Sequence, residues 1–148
     1  MSEHKVKVSW ERGAREYTYE TYPRDHVWVF SGGERLAASA APEYKGSPEL
    51  ANPEEAFVAA LSSCHMLTFL AIAARKRLVV DGYTDAAVGH LEKNAAGKLA
   101  ITRVVLHPHV VFDGKPPSSA DLAQMHEQAH AHCFIASSVV TDVTVAPV

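Results

Sequence analysis

Residues 53–77 form a run that is apolar on most sides, and a helix of that kind has to be buried by something. Its start is well marked. Asn52 can cap, Pro53 suits the first helical position, and Glu55 stands three residues after the cap, as in a capping box. Glu54 and Glu55 favour the positive end of the helix dipole, and Arg75, Lys76 and Arg77 complement the negative end. Phe57, Leu61, Cys64, Thr68 and Ala71 recur at helical spacing, as do Ala60 and Leu67. With so little polar surface, the helix must be covered by a sheet or by a partner chain. Ser62, Ser63, Cys64, His65 and Thr68 interrupt the apolar run and make it a poor membrane span.

The flanking segments read as strands. Alternation predicts strands over residues 5–10, 15–22, 26–30 and 36–40, and residues 41–51, with two prolines, a glycine and a serine, read as a loop. Beyond the helix, strands are expected over 85–92 and 99–112, joined by a hairpin turn at 94–97. Ser118 can cap a second helix with Asp121 at the box position, running to about His132, and residues 139–145 close as a last strand. The pattern is α+β, and the 148 residues read as one domain.

Composition narrows the partners. A formal net charge of -3 argues against nucleic acid or an anionic membrane as the main partner. The charged start of the chain shows no signal peptide, and two cysteines make no disulfide scaffold, so a cytoplasmic location is expected.

The chemistry sits in few residues. Cys64 lies within the long helix, and Cys133 stands 69 positions later in His132-Cys133-Phe134-Ile135. Neither belongs to a CxxC pair, which leaves two inert buried thiols or a reactive pair assembled by the fold. A thiol among apolar neighbours stays protonated, so a reactive Cys64 needs a cation from another segment. Glu54 lies ten residues before Cys64, roughly 15 Å along a helix axis, so within one chain the two side chains cannot touch. For Glu55 capping suffices as a role. His126-Glu127-Gln128-Ala129-His130 matches HExxH, which on a helix can place two histidines on zinc with Glu127 activating water. His65 points about 100° away from Cys64 and is a poor base for it, and His65, His107 and His109 read as partly exposed structural histidines. No phosphate loop and no GxSxG is present.

The stretch Asn52-Pro53-Glu54-Glu55-Ala56-Phe57-Val58-Ala59-Ala60-Leu61-Ser62-Ser63-Cys64 resembles the central helix of the OsmC/Ohr family of thiol peroxidases. The segment from His132 to Val139 resembles that family's resolving-cysteine motif and last strand, and the strand–helix order agrees along nearly the whole chain. Cys64-His65-Met66 and Tyr22-Pro23-Arg24-Asp25-His26 resemble an OsmC-like branch distinct from the founding groups. The resemblance implies antiparallel sheets around a long central helix and an intertwined homodimer with two active sites at the interface. It implies Cys64 as the peroxidatic thiolate, Cys133 as the resolving thiol, a disulfide between them, and Glu54 orienting a cation. Family members carry that cation as an arginine ahead of the helix, where this chain offers only Lys45, which lacks the planar fork of a guanidinium. Arg24, on an early strand, is the favoured substitute and Arg35 the second. The implied substrates are a hydroperoxide and a dithiol reductant, such as one of lipoyl type, with no cofactor. Two other readings stand beside this one: a zinc hydrolase built on residues 126–130, and a non-catalytic redox-sensing or ligand-binding dimer.

Overall fold

A computed structural model describes all 148 residues. The chain divides into two compact units, Met1–Ala56 and Phe57–Val148.

The first unit is built on an antiparallel sheet of β1 (Val6–Ser9), β2 (His26–Phe30) and β3 (Arg35–Ala38), in the order β1-β2-β3. Val6 pairs with Phe30 and His26 with Ala38, and the β2–β3 turn closes at Gly33, whose φ of 89° suits glycine. The strand expected over residues 15–22 does not form. Thr21 and Tyr22 donate their amides to the Thr18 carbonyl, and the Thr18 and Thr21 hydroxyls bond each other, so local side-chain bonds take the place of a ladder. The alternating tyrosines lead elsewhere: Tyr17 and Tyr22 pack edge-on against Trp10, whose indole N–H donates to the Pro23 carbonyl. The segment expected as a loop contains one 3-10 turn, Pro42–Tyr44. Gly46 follows it where a Cβ would fall on the Ala40 carbonyl, so only glycine fits. Asp25 accepts from the Ser39 and Ser47 hydroxyls at 2.8 and 2.7 Å, which holds its carboxyl below the usual range.

Helix α1 (Pro53–Arg75) continues into the second unit. The capping box is present: the Glu55 amide donates to Asn52 Oδ1 at 2.9 Å, and the Asn52 amide donates to Glu55 Oε2 at 3.2 Å. The helix ends in a Schellman motif, with Leu78 N–H donating to the Ala73 carbonyl and Arg77 N–H to Ala74, and Arg77 taking the left-handed position at φ 59°. By length and composition alone α1 could cross a membrane. Its buried residues are Leu61, His65, Phe69 and Ala73, one per turn, and these are packed against protein.

Two sheets and a second helix complete this unit. β4 (Val79–Asp85) pairs antiparallel with β7 (Pro108–Asp113). β5 (Val88–Lys93), β6 (Leu99–Leu106) and β8 (Asp142–Val145) form the other sheet, with β8 parallel to β6. The strand expected over 85–92 is β5, and β4, in the other sheet, has no counterpart among the expected strands. A bulge between Val80 and Gly82 takes up Asp81 within β4. The strand expected over 99–112 breaks at His107, whose amide donates to Asp85 Oδ1 at 2.6 Å, just before Pro108. The hairpin turn at 94–97 is present, with Asn94 and Lys98 bonded across it. Gly89 lets β5 approach α1, because a Cβ there would sit 2.5 Å from a Val58 methyl. Helix α2 (Ser119–Ala131) is capped by Ser118, whose hydroxyl accepts from the Asp121 amide at 3.1 Å. One core joins Phe69 and Ala73 of α1 to Met125 and Ala129 of α2, and a second joins Leu61 to Val104 and Leu106. The architecture is mixed α+β.

Candidate functional site

Cys64 is half-buried in the middle of α1, and the Thr68 hydroxyl donates to its carbonyl at 2.9 Å. Cys133 follows the C-cap of α2 and is 1% exposed. Its amide donates to the His130 carbonyl, and its sulfur accepts from the Ala136 amide at 3.4 Å. The fold brings the two cysteines near each other: both are free thiols, and the Cys64 thiol is among the groups that act on Cys133. The Cys133 thiol is pushed above its ordinary value, first by burial and then by the neighbouring Cys64 thiol, while the Ala136 N–H opposes the shift. A largely apolar groove of about 590 Å³ is lined by Leu67, Thr68 and Ile72 of α1 and by His132 and Phe134, the sequence neighbours of Cys133, with Arg75 and Lys76 on its wall; neither cysteine lines it.

Arg24 lies in the loop leading into β2, not on a strand as its sequence context suggests. Its guanidinium sits 3.6 Å from the Tyr22 ring centroid and donates to the Tyr19 and Tyr22 carbonyls. Nε is buried without a partner. A cavity of about 380 Å³ opens beside it, lined by Trp10, Tyr17, Tyr22, His26 and Pro53. Glu54 forms no ion pair within the chain, and its Oε2 is buried without a partner. Arg35 is exposed on β3, and Lys45 pairs with Glu20 at 2.6 Å, with its Nζ 5.8 Å from the centroid of the Tyr19 ring that Arg24 also faces.

The HExxH residues do not form a metal centre. His126 is turned inward, with Nδ1 3.0 Å from Nε2 of His65, while Glu127 is exposed. A catalytic zinc needs three protein ligands, and no three His, Cys, Asp or Glu side chains converge anywhere in the chain. His107 and His109 bond the carbonyls of Ala146 and Val148, a structural role.

His65 is the residue that sequence spacing misplaces. It is 1% exposed, not partly exposed, and it forms a buried pair with His126, which is 3% exposed. The rings lie nearly parallel, at 6°, and Phe69 stacks on His126 at 4.4 Å. Burial is the main cause holding both imidazoles below their ordinary value, His65 at about 4. The partners are 61 residues apart, so no local pattern signals the pair. Tyr83, also near Asp85, has a buried hydroxyl without a partner, and burial raises it.

Comparison with known proteins gives these features a family. The family model described as OsmC-like protein matches residues 46–147. An OsmC-like protein of unknown function from Vibrio cholerae O1 biovar eltor str. N16961 is 49% identical, with a TM-score of 0.97 and 100% of each chain covered. An organic hydroperoxide resistance protein OsmC from Legionella pneumophila is 15% identical, with a TM-score of 0.74 over 99% of this chain and 97% of that one. An organic hydroperoxide resistance protein from Elizabethkingia anophelis is 16% identical, with a TM-score of 0.72 over 100% of this chain and 98% of that one. At such identities the last two show a shared fold. No curated protein matches the chain. Family model, full-length similarity and the fold agree: this chain belongs to the OsmC-like family.

Proposed function

We propose that the chain is a cytoplasmic cysteine-based peroxidase that reduces organic or small hydroperoxides in defence against oxidative stress. The observation that carries this reading is the meeting of the Cys64 and Cys133 thiols. In the proposed cycle the Cys64 thiolate attacks the O–O bond, the alkoxide leaves and takes up a proton as alcohol or water, and Cys64 becomes a sulfenic acid. Cys133 then attacks that sulfur, a disulfide forms and water leaves. A dithiol reductant returns both thiols and is itself oxidised to a disulfide. A half-buried attacking thiol beside a fully buried second one fits this division of labour.

Arg24 is the proposed activating cation and Glu54 the carboxylate that orients it. Each holds a buried polar atom with no partner within the chain, which supports a role completed by further contacts. The proposed assembly is a homodimer. Its support is α1, which leaves Leu67 62% exposed and buries only one residue per turn. The neighbours described as organic hydroperoxide resistance proteins support the substrate class.

Peroxide consumption with a dithiol reductant tests the reading. Cys64→Ser is expected to lower turnover at least a hundredfold, and Cys133→Ser to consume about one equivalent and stall with Cys64 as sulfenic acid. Unchanged turnover in Cys64→Ser overturns it.

A further inference from the structure

We infer that the buried His65–His126 hydrogen bond is a positioning latch that sets the Cys64–Cys133 geometry. The inference builds on the cysteine-pair reading above. Cys64 and His65 are consecutive on α1, and His126 sits on α2 seven positions before Cys133. Whatever fixes the slide and rotation of α2 against α1 therefore fixes one thiol against the other. The apolar part of that contact, Phe69 and Ala73 against Met125 and Ala129, is non-directional and tolerates small slides. The 3.0 Å bond between His65 Nε2 and His126 Nδ1 does not, because it requires alignment as well as distance.

Closing a disulfide makes the same demand. The sulfurs must come to about 2.05 Å with Cα atoms 4.4–6.8 Å apart, so a slide of about an ångström between the helices costs ring closure. Stability alone does not require two imidazoles here. Replacing both partners of a buried hydrogen bond by apolar groups can be nearly neutral, whereas the directional bond is lost. Phe69 stacked on His126 holds that ring, and the titratable groups acting on the pair are His130 of α2 and Asp85 of β4. None of them hydrogen-bonds either imidazole, so the His–His bond is the polar link between the two helices here.

The test is the equilibrium of the Cys64–Cys133 disulfide in glutathione buffers, which reads the effective molarity of the pair without any peroxide. The double variant His65→Leu/His126→Leu is expected to fold with a Tm near wild type and to lose at least tenfold in effective molarity, about 30 mV for a two-electron couple. His126→Asn places an amide near Nδ1 and is expected to stay within about threefold of wild type, with His126→Leu falling at least tenfold. A folded double variant with wild-type effective molarity overturns the latch; if the double variant does not fold, equal values for His126→Leu and His126→Asn overturn it. Peroxide oxidation run in parallel separates the two readings. If peroxide leaves wild-type Cys64 reduced while glutathione disulfide closes the pair and the leucine variants weaken it, the peroxidase reading fails and the latch stands.

Discussion

At the scale of single residues, Cys133 is the side chain whose environment says most about its job. It is buried, and burial together with the neighbouring Cys64 thiol keeps it protonated above the ordinary range. Only a thiolate attacks, so closure of the disulfide should be held back at neutral pH. Its rate is expected to rise about tenfold per pH unit from 7, with no plateau below pH 9.0, the ordinary thiol value that Cys133 exceeds. Stopped-flow decay of the Cys64 sulfenic acid measures this, and a plateau near pH 7 contradicts it. The sequence marked both cysteines, through the residues around them. It did not mark His65, because its partner lies 61 positions away and at local spacing it is only a neighbour of Cys64. Arg24 was legible as a cation but not as one held over Tyr22 by two carbonyls, since the fold of residues 10–25 departs from simple alternation.

At the scale of elements, helices were more legible than strands, and the reason is local. Asn52 with Glu55, and Ser118 with Asp121, satisfy orphan amides within one turn, so a helix start is written in four residues. Strand limits depend on distant partners: β4 is held by β7, and the break at His107 by the Asp85 carboxylate. The α1–α2 contact carries a prediction of its own. His65 takes up its proton at about pH 4 in the folded chain but near 6.5 when unfolded, and His126 is lowered too. Between those values the unfolded state binds more protons, so the stability from this pair is complete above about pH 6.5 and lost as pH falls toward 4. Tm is expected to fall over this interval by about 5 °C more in the wild type than in His65→Leu/His126→Leu. Equal acid losses in scanning calorimetry contradict the burial of two neutral imidazoles.

At the scale of the whole molecule, the family follows from residues 46–147 and from an end-to-end match at 49% identity. The proposed activity rests on something narrower, two thiols 69 residues apart that the C-terminal unit places near each other. The apolar run of α1 constrains the fold, and its partly bare surface is the one that the proposed second subunit would cover. One measurement goes to the central claim: treat the fully reduced protein with one equivalent of an organic hydroperoxide, quench with acid, and map the products by non-reducing peptide mass spectrometry. The account predicts one intramolecular Cys64–Cys133 disulfide per chain, with one equivalent of alcohol released. Two intact thiols, or a Cys64 oxidised to sulfinic acid beside a free Cys133, would contradict it.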